Sequence, residues 1–171
     1  MAFPDPASTT DTPVPQAAGA RPALVAPGER IVHRVRYTRE DITRFAAQTL
    51  DRNPVHHSVE AARLAGHADV IASGQQTSAL MSGLAASHFS RRDDGVAREM
   101  LCLNFNFAYR APIPAERELT LEWQVGETEW NESLVGMIAQ LEGRASVDGR
   151  TAIVARGTVL VRHAVQLVDG R

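Results

Sequence analysis

Hydrophobic and polar residues alternate with a period of two through much of the second half of the chain. This period is typical of strands that bury one face. Four such segments stand out, at residues 101–109, 119–125, 135–141 and 153–161. Asp148-Gly149 predicts a tight hairpin turn between the last two. Residues 31–36 can form a further strand, so we expect about five antiparallel strands.

The first half of the chain predicts helices. Thr38 places a hydroxyl at an N-cap and Asp41 places a carboxylate three residues later, close to a capping box. Apolar residues then follow at helical spacing: Ile42, Phe45, Ala46 and Leu50. Ser58 can cap a second short helix that Gly66 would end. Residues 74–89 are small and apolar almost all round, which predicts a buried central helix.

Composition limits the fold class and the partners. A chain of 171 residues fits one domain, and the order of predicted elements makes it α+β. A net charge of -2 gives no reason to expect nucleic acid or an anionic membrane, so the partner should be a small molecule or another protein. The sequence contains no lysine, which excludes lysine-dependent chemistry. Cys102 is the single cysteine and is expected to be a small buried hydrophobe without a disulfide.

The two ends of the chain differ in character. Residues 1–28 carry six of the nine prolines and show no strand or helix period, which predicts a disordered tail before a folded domain at 29–171. No segment reaches the roughly 18 apolar residues of a membrane span. The N-terminus lacks the basic and apolar regions of a signal peptide, so a cytoplasmic location is expected.

A short motif, Asp51-Arg52-Asn53-Pro54-Val55-His56, carries the candidate chemistry. The residue before a proline is pushed out of the helical region, so Asn53-Pro54 should bend the chain after the first helix. Asp51 and His56 can then converge on one cavity and hold one water. The simpler alternative is a helix stop in which Asp51 or Asn53 binds nearby backbone.

The wider segment FAAQTLDRNPVHHSVEAARLAGHADVIASGQQTSALMSGL resembles the hydratase signature of the MaoC-like, R-specific enoyl-CoA hydratases of the hot-dog fold superfamily. The resemblance runs from about residue 35 to residue 162. It implies one hot-dog domain, an antiparallel sheet of about five strands wrapped around a central helix. It also implies that Asp51 and His56 are catalytic, with Asn53 and Pro54 supporting the loop, and that Gly74 opens the central helix.

Hydration of a conjugated thioester needs a base, an acid and donors for the enolate-like oxygen. Asp51 and His56 can share the water, because histidine exchanges protons near neutral pH. The N-terminus of the helix at Gly74 offers free N–H groups and the positive end of the dipole. Gln75 is expected at the mouth of the pocket, and Ser82 either lines the acyl chain or packs within the fold. The resemblance implies syn addition, an R-3-hydroxyacyl product and a homodimer joined through the sheets.

The carrier and the acyl chain stay open. No cofactor is expected beyond the coenzyme A, or the phosphopantetheine of an acyl-carrier protein, that belongs to the substrate. Many relatives have His-Gly where this chain has Ser73-Gly74, and an apolar residue where it has Gln75. These departures allow a specialised-pathway dehydratase or oxa-Michael cyclase that acts on a carrier-protein-bound chain.

Two other functions and a second candidate site remain as alternatives. A hot-dog acyl thioesterase shares the fold, but several such enzymes place a carboxylate on the central helix, and residues 74–89 contain no Asp or Glu. A non-catalytic acyl-binding module would be expected to have lost Asp51 or His56. His67 and Asp69 form a second, weaker candidate pair. No metal site is expected, because His56-His57 has no third ligand at motif spacing.

Overall fold

Five antiparallel strands form one sheet in the computed structural model, which describes residues 24–164. The strands lie in the order β1-β3-β4-β5-β2, so β1 and β2 are the two edges. Asp148 and Gly149 have φ angles of 49° and 76°, as a two-residue hairpin turn requires, and the predicted turn is confirmed. The strand bounds are β1 Arg30–Arg36, β2 Arg98–Tyr109, β3 Glu118–Asn131, β4 Gly136–Val147 and β5 Arg150–His163.

The first two helices begin at the predicted caps, and the third begins at Gly74 as expected. Their bounds are α1 Arg39–Gln48, α2 Val59–Leu64 and α3 Gly74–Phe89, with a 3₁₀ turn at Pro54–His56. Thr38 and Asp41 form a complete capping box, and the Ser58 hydroxyl accepts the Ala61 N–H at 3.2 Å. Gly66 ends α2 in the left-handed conformation, with φ 86°. No helix within residues 24–164 is long and apolar enough to cross a membrane.

Helix α3 packs on one face of the sheet, and together they form the expected single hot-dog domain. The Trp123 indole N–H donates to the Met81 carbonyl at 2.9 Å, which ties β3 to the middle of the helix. The prediction that α3 is buried on every side is wrong for one face, because the sheet covers the helix from one side only. Buried residues on α3 are Gln76, Thr77, Ser78, Met81, Ala85 and Phe89, and exposed ones are Gln75, Ala79, Gly83 and Ser87.

Part of the predicted tail belongs to the core. Leu24 and Val25 are buried, and the Gly28 N–H donates to the Val125 carbonyl at 2.8 Å. The predicted boundary after residue 28 is therefore too late, because two large apolar side chains here pack against the domain. Residues 1–23, which make up the rest of the predicted tail, lie outside the described residues, as do residues 165–171.

Strand β2 carries apolar residues on a free edge. Leu101 is 43% exposed and Leu103 is 48% exposed. Cys102 between them is also exposed, so the prediction that it is buried is wrong. Two features accompany this exposure: the pairing with β5 shifts register between Cys102 and Asn104, and within residues 24–164 no strand pairs with the other edge of β2.

Candidate active site

The C-terminus of α1 positions Asp51. The Asp51 N–H donates to the Ala46 carbonyl at 2.8 Å, and the Leu50 N–H donates to the Ala47 carbonyl at 3.2 Å. This pair of bonds is a Schellman motif. Leu50 occupies its left-handed position with φ 60° and is exposed, so its prediction as part of the apolar face of α1 is wrong. Asp51 is thereby fixed at the point where the chain leaves the helix.

The Asn-Pro turn then returns the chain toward Asp51. The Asn53 N–H donates to Asp51 Oδ1 at 2.9 Å, and the Asn53 side chain accepts the Val55 N–H at 3.5 Å. Pro54 occupies the first position of the 3₁₀ turn, which ends at His56. The motif is thus a helix stop that also brings His56 Nε2 to 3.4 Å from Asp51 Oδ2.

The protonation of His56 follows from its partner. Its Nδ1 lies 2.7 Å from the Ile71 carbonyl oxygen, which can only accept, so Nδ1 carries the hydrogen. Nε2 of the neutral ring is then an acceptor and faces the Asp51 carboxylate. Their 3.4 Å separation is longer than a good hydrogen bond, and a water can donate one hydrogen to each atom. The His56 side chain is 9% exposed and that of Asp51 is 32% exposed, so the pair lies at the edge of the interior.

Hydrogen bonds link the segment around His56 to Ile71 and to α1. The Ile71 N–H donates to the Val55 carbonyl at 3.2 Å, and the Ile71 carbonyl accepts the hydrogen of His56 Nδ1. Ile71 therefore makes two hydrogen bonds to the turn. The Ala72 N–H donates to the Ile113 carbonyl at 2.8 Å. On the other side, the Thr43 hydroxyl of α1 donates to the His56 carbonyl at 3.2 Å. The imidazole is therefore held by backbone that is itself bonded to neighbouring segments.

Helix α3 begins beside this pair with free donors. Ser73 is its N-cap but makes no side-chain cap bond, because its hydroxyl donates to Gln75 Oε1 at 2.7 Å. Within residues 24–164, the N–H groups of Gly74 and Gln75 donate no hydrogen bond. These N–H groups and the helix dipole can therefore bind an anionic oxygen.

Tyr109 is a site residue that sequence reasoning missed. A Cβ at position 74 would lie 2.5 Å from Tyr109 Cε1, so the ring requires glycine there. The Ser78 hydroxyl donates to the Gly74 carbonyl at 3.1 Å, which leaves the Tyr109 O–H to donate to Ser78 Oγ at 2.9 Å. The only sequence signal was its place at the end of the alternating run of β2.

A cavity of about 380 Å³ joins these groups. His56, Gly74, Gln75 and Tyr109 line it, and Asp51 adjoins it through His56. Ser82 is not among its lining residues, and its hydroxyl donates to the Ser78 carbonyl at 2.8 Å. The remaining walls are apolar, formed by Ile71, Ala72, Ala111, Pro112, Ile113 and Ile153.

The second candidate pair has a different arrangement. Asp69 accepts hydrogen bonds from two nitrogens of Arg39: Nε lies 2.9 Å from Oδ1 and an outer nitrogen lies 2.8 Å from Oδ2. The hydrogen bonds from Arg39 hold the pKa of Asp69 below its ordinary value of 3.8. Asp69 thus braces the start of α1 against the loop before α3. Within residues 24–164, no group of three or more His, Cys, Asp or Glu side chains is arranged to hold a metal ion.

A family model described as the MaoC like domain matches residues 23–142. The chain belongs to the MaoC-like dehydratase family. The matched segment contains Asp51, His56, Gly74 and Tyr109, and of the residues that line the cavity only Ile153 lies beyond it. No curated protein sequence matches this MaoC-like chain significantly.

Several solved structures share the fold of this MaoC-like domain. The (R)-hydratase from A. caviae involved in PHA biosynthesis is 21% identical, with a TM-score of 0.69 over 81% of this chain and 98% of that chain. R-hydratase PhaJ1 from Pseudomonas aeruginosa is 20% identical, with a TM-score of 0.69 over 86% and 90%. The 3R-hydroxyacyl-ACP dehydratase complex HadBC from Mycobacterium tuberculosis is 18% identical, with a TM-score of 0.63 over 78% and 96%. These structures establish the hot-dog fold.

Proposed function

We propose that this MaoC-like domain adds water to enoyl thioesters and removes it from (R)-3-hydroxyacyl thioesters. The placement of Asp51 and His56 carries the proposal: their facing atoms are 3.4 Å apart, beside a cavity that begins at the free N–H groups of α3. The names of its structural neighbours, two (R)-hydratases and a 3R-hydroxyacyl-ACP dehydratase, support the same reaction class.

In the hydration direction, one water donates its hydrogens to Asp51 Oδ2 and His56 Nε2. Its oxygen attacks Cβ of the enoyl thioester while one proton moves to the Asp51–His56 pair. The pair returns that proton to Cα, so the oxygen and the hydrogen are added to the same face. Positioned acid–base groups of this kind contribute about 10² to 10⁴ in rate.

The N–H groups at the start of α3 bind the thioester oxygen as it gains negative charge. Gly74 contributes its N–H and Gln75 contributes the next one. Because they are fixed by the helix, they need no reorganisation during the reaction. One preorganised donor of this kind lowers the barrier by about 3 kcal/mol.

The carrier is coenzyme A or the phosphopantetheine of an acyl-carrier protein, and no other cofactor takes part. The apolar walls of the cavity suit an acyl chain. Gln75 adds a polar contact at the rim: its Oε1 accepts the Ser73 hydroxyl, which leaves two Nε2 hydrogens for an oxygen of the substrate. Gln75→Leu should then weaken binding of oxygen-bearing acyl chains more than that of plain ones, and an equal effect on both would remove this role.

We also propose a homodimer that pairs the free edges of β2. An exposed edge strand with apolar side chains is prone to pair with another chain, and Leu101 and Leu103 give β2 that character. Two structural neighbours, ChsH1-ChsH2 and HadBC, are named as complexes. A monomeric mass by sedimentation at micromolar concentration would contradict the dimer.

The reaction is tested with the purified protein and crotonyl-CoA. We expect loss of enoyl absorbance, an intact thioester and an (R)-3-hydroxy product by chiral analysis. Release of free thiol without hydration would make the protein a thioesterase. If crotonyl-CoA is inert, the same assay with crotonyl-acyl-carrier protein decides whether the carrier or the reaction is wrong.

A further inference from the structure

His57, the residue after the catalytic histidine, contacts the other catalytic residue. Its Nε2 lies 2.7 Å from the main-chain oxygen of Asp51. A carbonyl oxygen can only accept, so Nε2 carries a hydrogen and donates it. His57 is exposed, whereas His56 is buried and donates to Ile71 instead. The two adjacent histidines therefore bind different parts of the loop.

The contact completes the set of bonds that hold Asp51. Its N–H donates to the Ala46 carbonyl at 2.8 Å, and its Oδ1 accepts the Asn53 N–H at 2.9 Å. With the carbonyl bound by His57, the remaining carboxylate oxygen is the one that faces His56 Nε2. Asp51 is thus fixed on both sides of its Cα, and its Oδ2 is left for the reaction.

We propose that His57 is a positioning residue that sets the distance between Asp51 Oδ2 and His56 Nε2. The proposal rests on the function proposed above. Its bond spans the Asn-Pro turn and joins residue 57 to residue 51, so it closes the loop that carries both catalytic groups. Without it, the Asp51–Arg52 peptide can rotate, and the carboxylate leaves the position in which one water reaches both groups.

Both protonation states of His57 can make this bond, because Nε2 carries a hydrogen in the imidazolium and in the neutral tautomer that the carbonyl selects. The role therefore depends on a donor at this reach and not on charge. Glutamine offers an uncharged N–H donor at the end of a side chain of comparable length. Leucine keeps similar bulk and offers no donor. His57→Gln and His57→Leu are therefore a matched pair.

The test compares wild type, H57Q and H57L in enoyl-thioester hydration. We expect H57L to lower kcat about tenfold or more with KM changed less than about threefold, because misplaced catalytic groups slow the chemical step. H57Q should recover most of the loss. Wild-type kcat in H57L, or equal losses in both variants, would overturn the role of the donor. His57→Ser, which is too short to reach, replaces H57L if the exposed leucine causes aggregation.

A second readout does not depend on turnover. The Asn53 N–H is bonded to Asp51 Oδ1, so its hydrogen-exchange rate reports the order of the Asp51 loop. H57L should raise that rate and H57Q should leave it near wild type. If the two variants show this pattern but the wild-type protein hydrates no enoyl thioester, the proposed function fails and the loop contact stands. Unchanged exchange in H57L would overturn the contact even in an active enzyme.

Discussion

The ring of Tyr109 lies directly against Gly74, at the position that any side chain at residue 74 would occupy. A Cβ there would come within 2.5 Å of Tyr109 Cε1 and 2.7 Å of Cδ1. The ring is held in turn by Ser78, whose hydroxyl lies 2.9 Å from the tyrosine oxygen. The end of β2 and the start of α3 are therefore joined at the point where the thioester oxygen is proposed to bind.

Gly74→Ala should damage both stability and activity. The added methyl group must displace the Tyr109 ring or the first turn of α3, and overpacking of this kind costs about 1–3 kcal/mol. We expect a loss of that size in the free energy of unfolding, measured by urea denaturation, and at least about a tenfold loss in kcat/KM.

Two controls separate the contact from a general effect of alanine. In a Tyr109→Ala background, Gly74→Ala should cost much less stability, because the clashing ring is gone. Gly83 lies on the same helix, and no atom of residues 24–164 beyond its own helical neighbourhood would meet a Cβ there, so Gly83→Ala should be neutral or stabilising. A Gly74→Ala protein as stable and active as wild type would contradict the account of this contact.

Leu50→Gly should stabilise the protein. Leu50 has φ 60° and is 81% exposed, so glycine relieves a left-handed leucine and loses little buried surface. The left-handed conformation costs an L-residue about 1–2 kcal/mol, and the greater freedom of glycine in the unfolded chain offsets part of the gain. We expect a net increase of about 0.5–1 kcal/mol in the free energy of unfolding.

Leu64→Gly is the matched control for Leu50. Leu64 is similarly exposed at 85% but lies in α2, where glycine costs about 1 kcal/mol. The two substitutions should therefore change stability in opposite directions. A loss of stability in both would mean that the backbone at residue 50 carries no strain that glycine relieves.

The Arg39–Asp69 ion pair should make the loop before α3 sensitive to acid. Hydrogen bonds from Arg39 lower the pKa of Asp69 from its ordinary 3.8, so the folded protein binds this proton less readily than the unfolded chain. The stabilisation is fully present above about pH 4 and is lost as the pH falls through the lowered pKa. Asp69→Asn should cost at most about 1 kcal/mol at pH 7, because Arg39 is largely exposed.

The measurement is the free energy of unfolding of wild type and Asp69→Asn across the pH range from 7 to 2. The difference between the two proteins should shrink toward acid, because both then carry a neutral side chain at residue 69. Arg39→Gln should show the same pH trend, since it removes the partner of the same bond. A difference that is constant with pH would assign the loss to packing.

Local patterns predicted much of this molecule. The alternation of apolar residues predicted the strands, Thr38 and Ser58 predicted two helix starts, and Asn53-Pro54 predicted the bend that brings Asp51 and His56 together. Each of these signals acts over a few residues, so the sequence displays it directly.

Two of the features that sequence reasoning missed depend on residues distant in the chain, and the third depends on how a helix ends. Tyr109 meets Gly74 only because β2 packs against α3, and no short-range pattern links the two. Cys102 is exposed because its strand is at the edge of the sheet, which is set by strand order. Leu50 continued the helical spacing of apolar residues, but the Schellman turn at the end of α1 placed it in solvent.

The most direct test of the mechanism is the hydration rate of crotonyl-CoA, or of the acyl-carrier-protein thioester, by wild type, Asp51→Asn and His56→Ala. Circular dichroism and melting temperature confirm that each variant is folded. Asp51→Asn keeps the shape of the side chain, and both variants remove one of the two groups that hold the water. We expect each to lower kcat by at least about a hundredfold. A folded variant that hydrates the thioester at nearly the wild-type rate would contradict the role of that residue and, for Asp51, the mechanism itself.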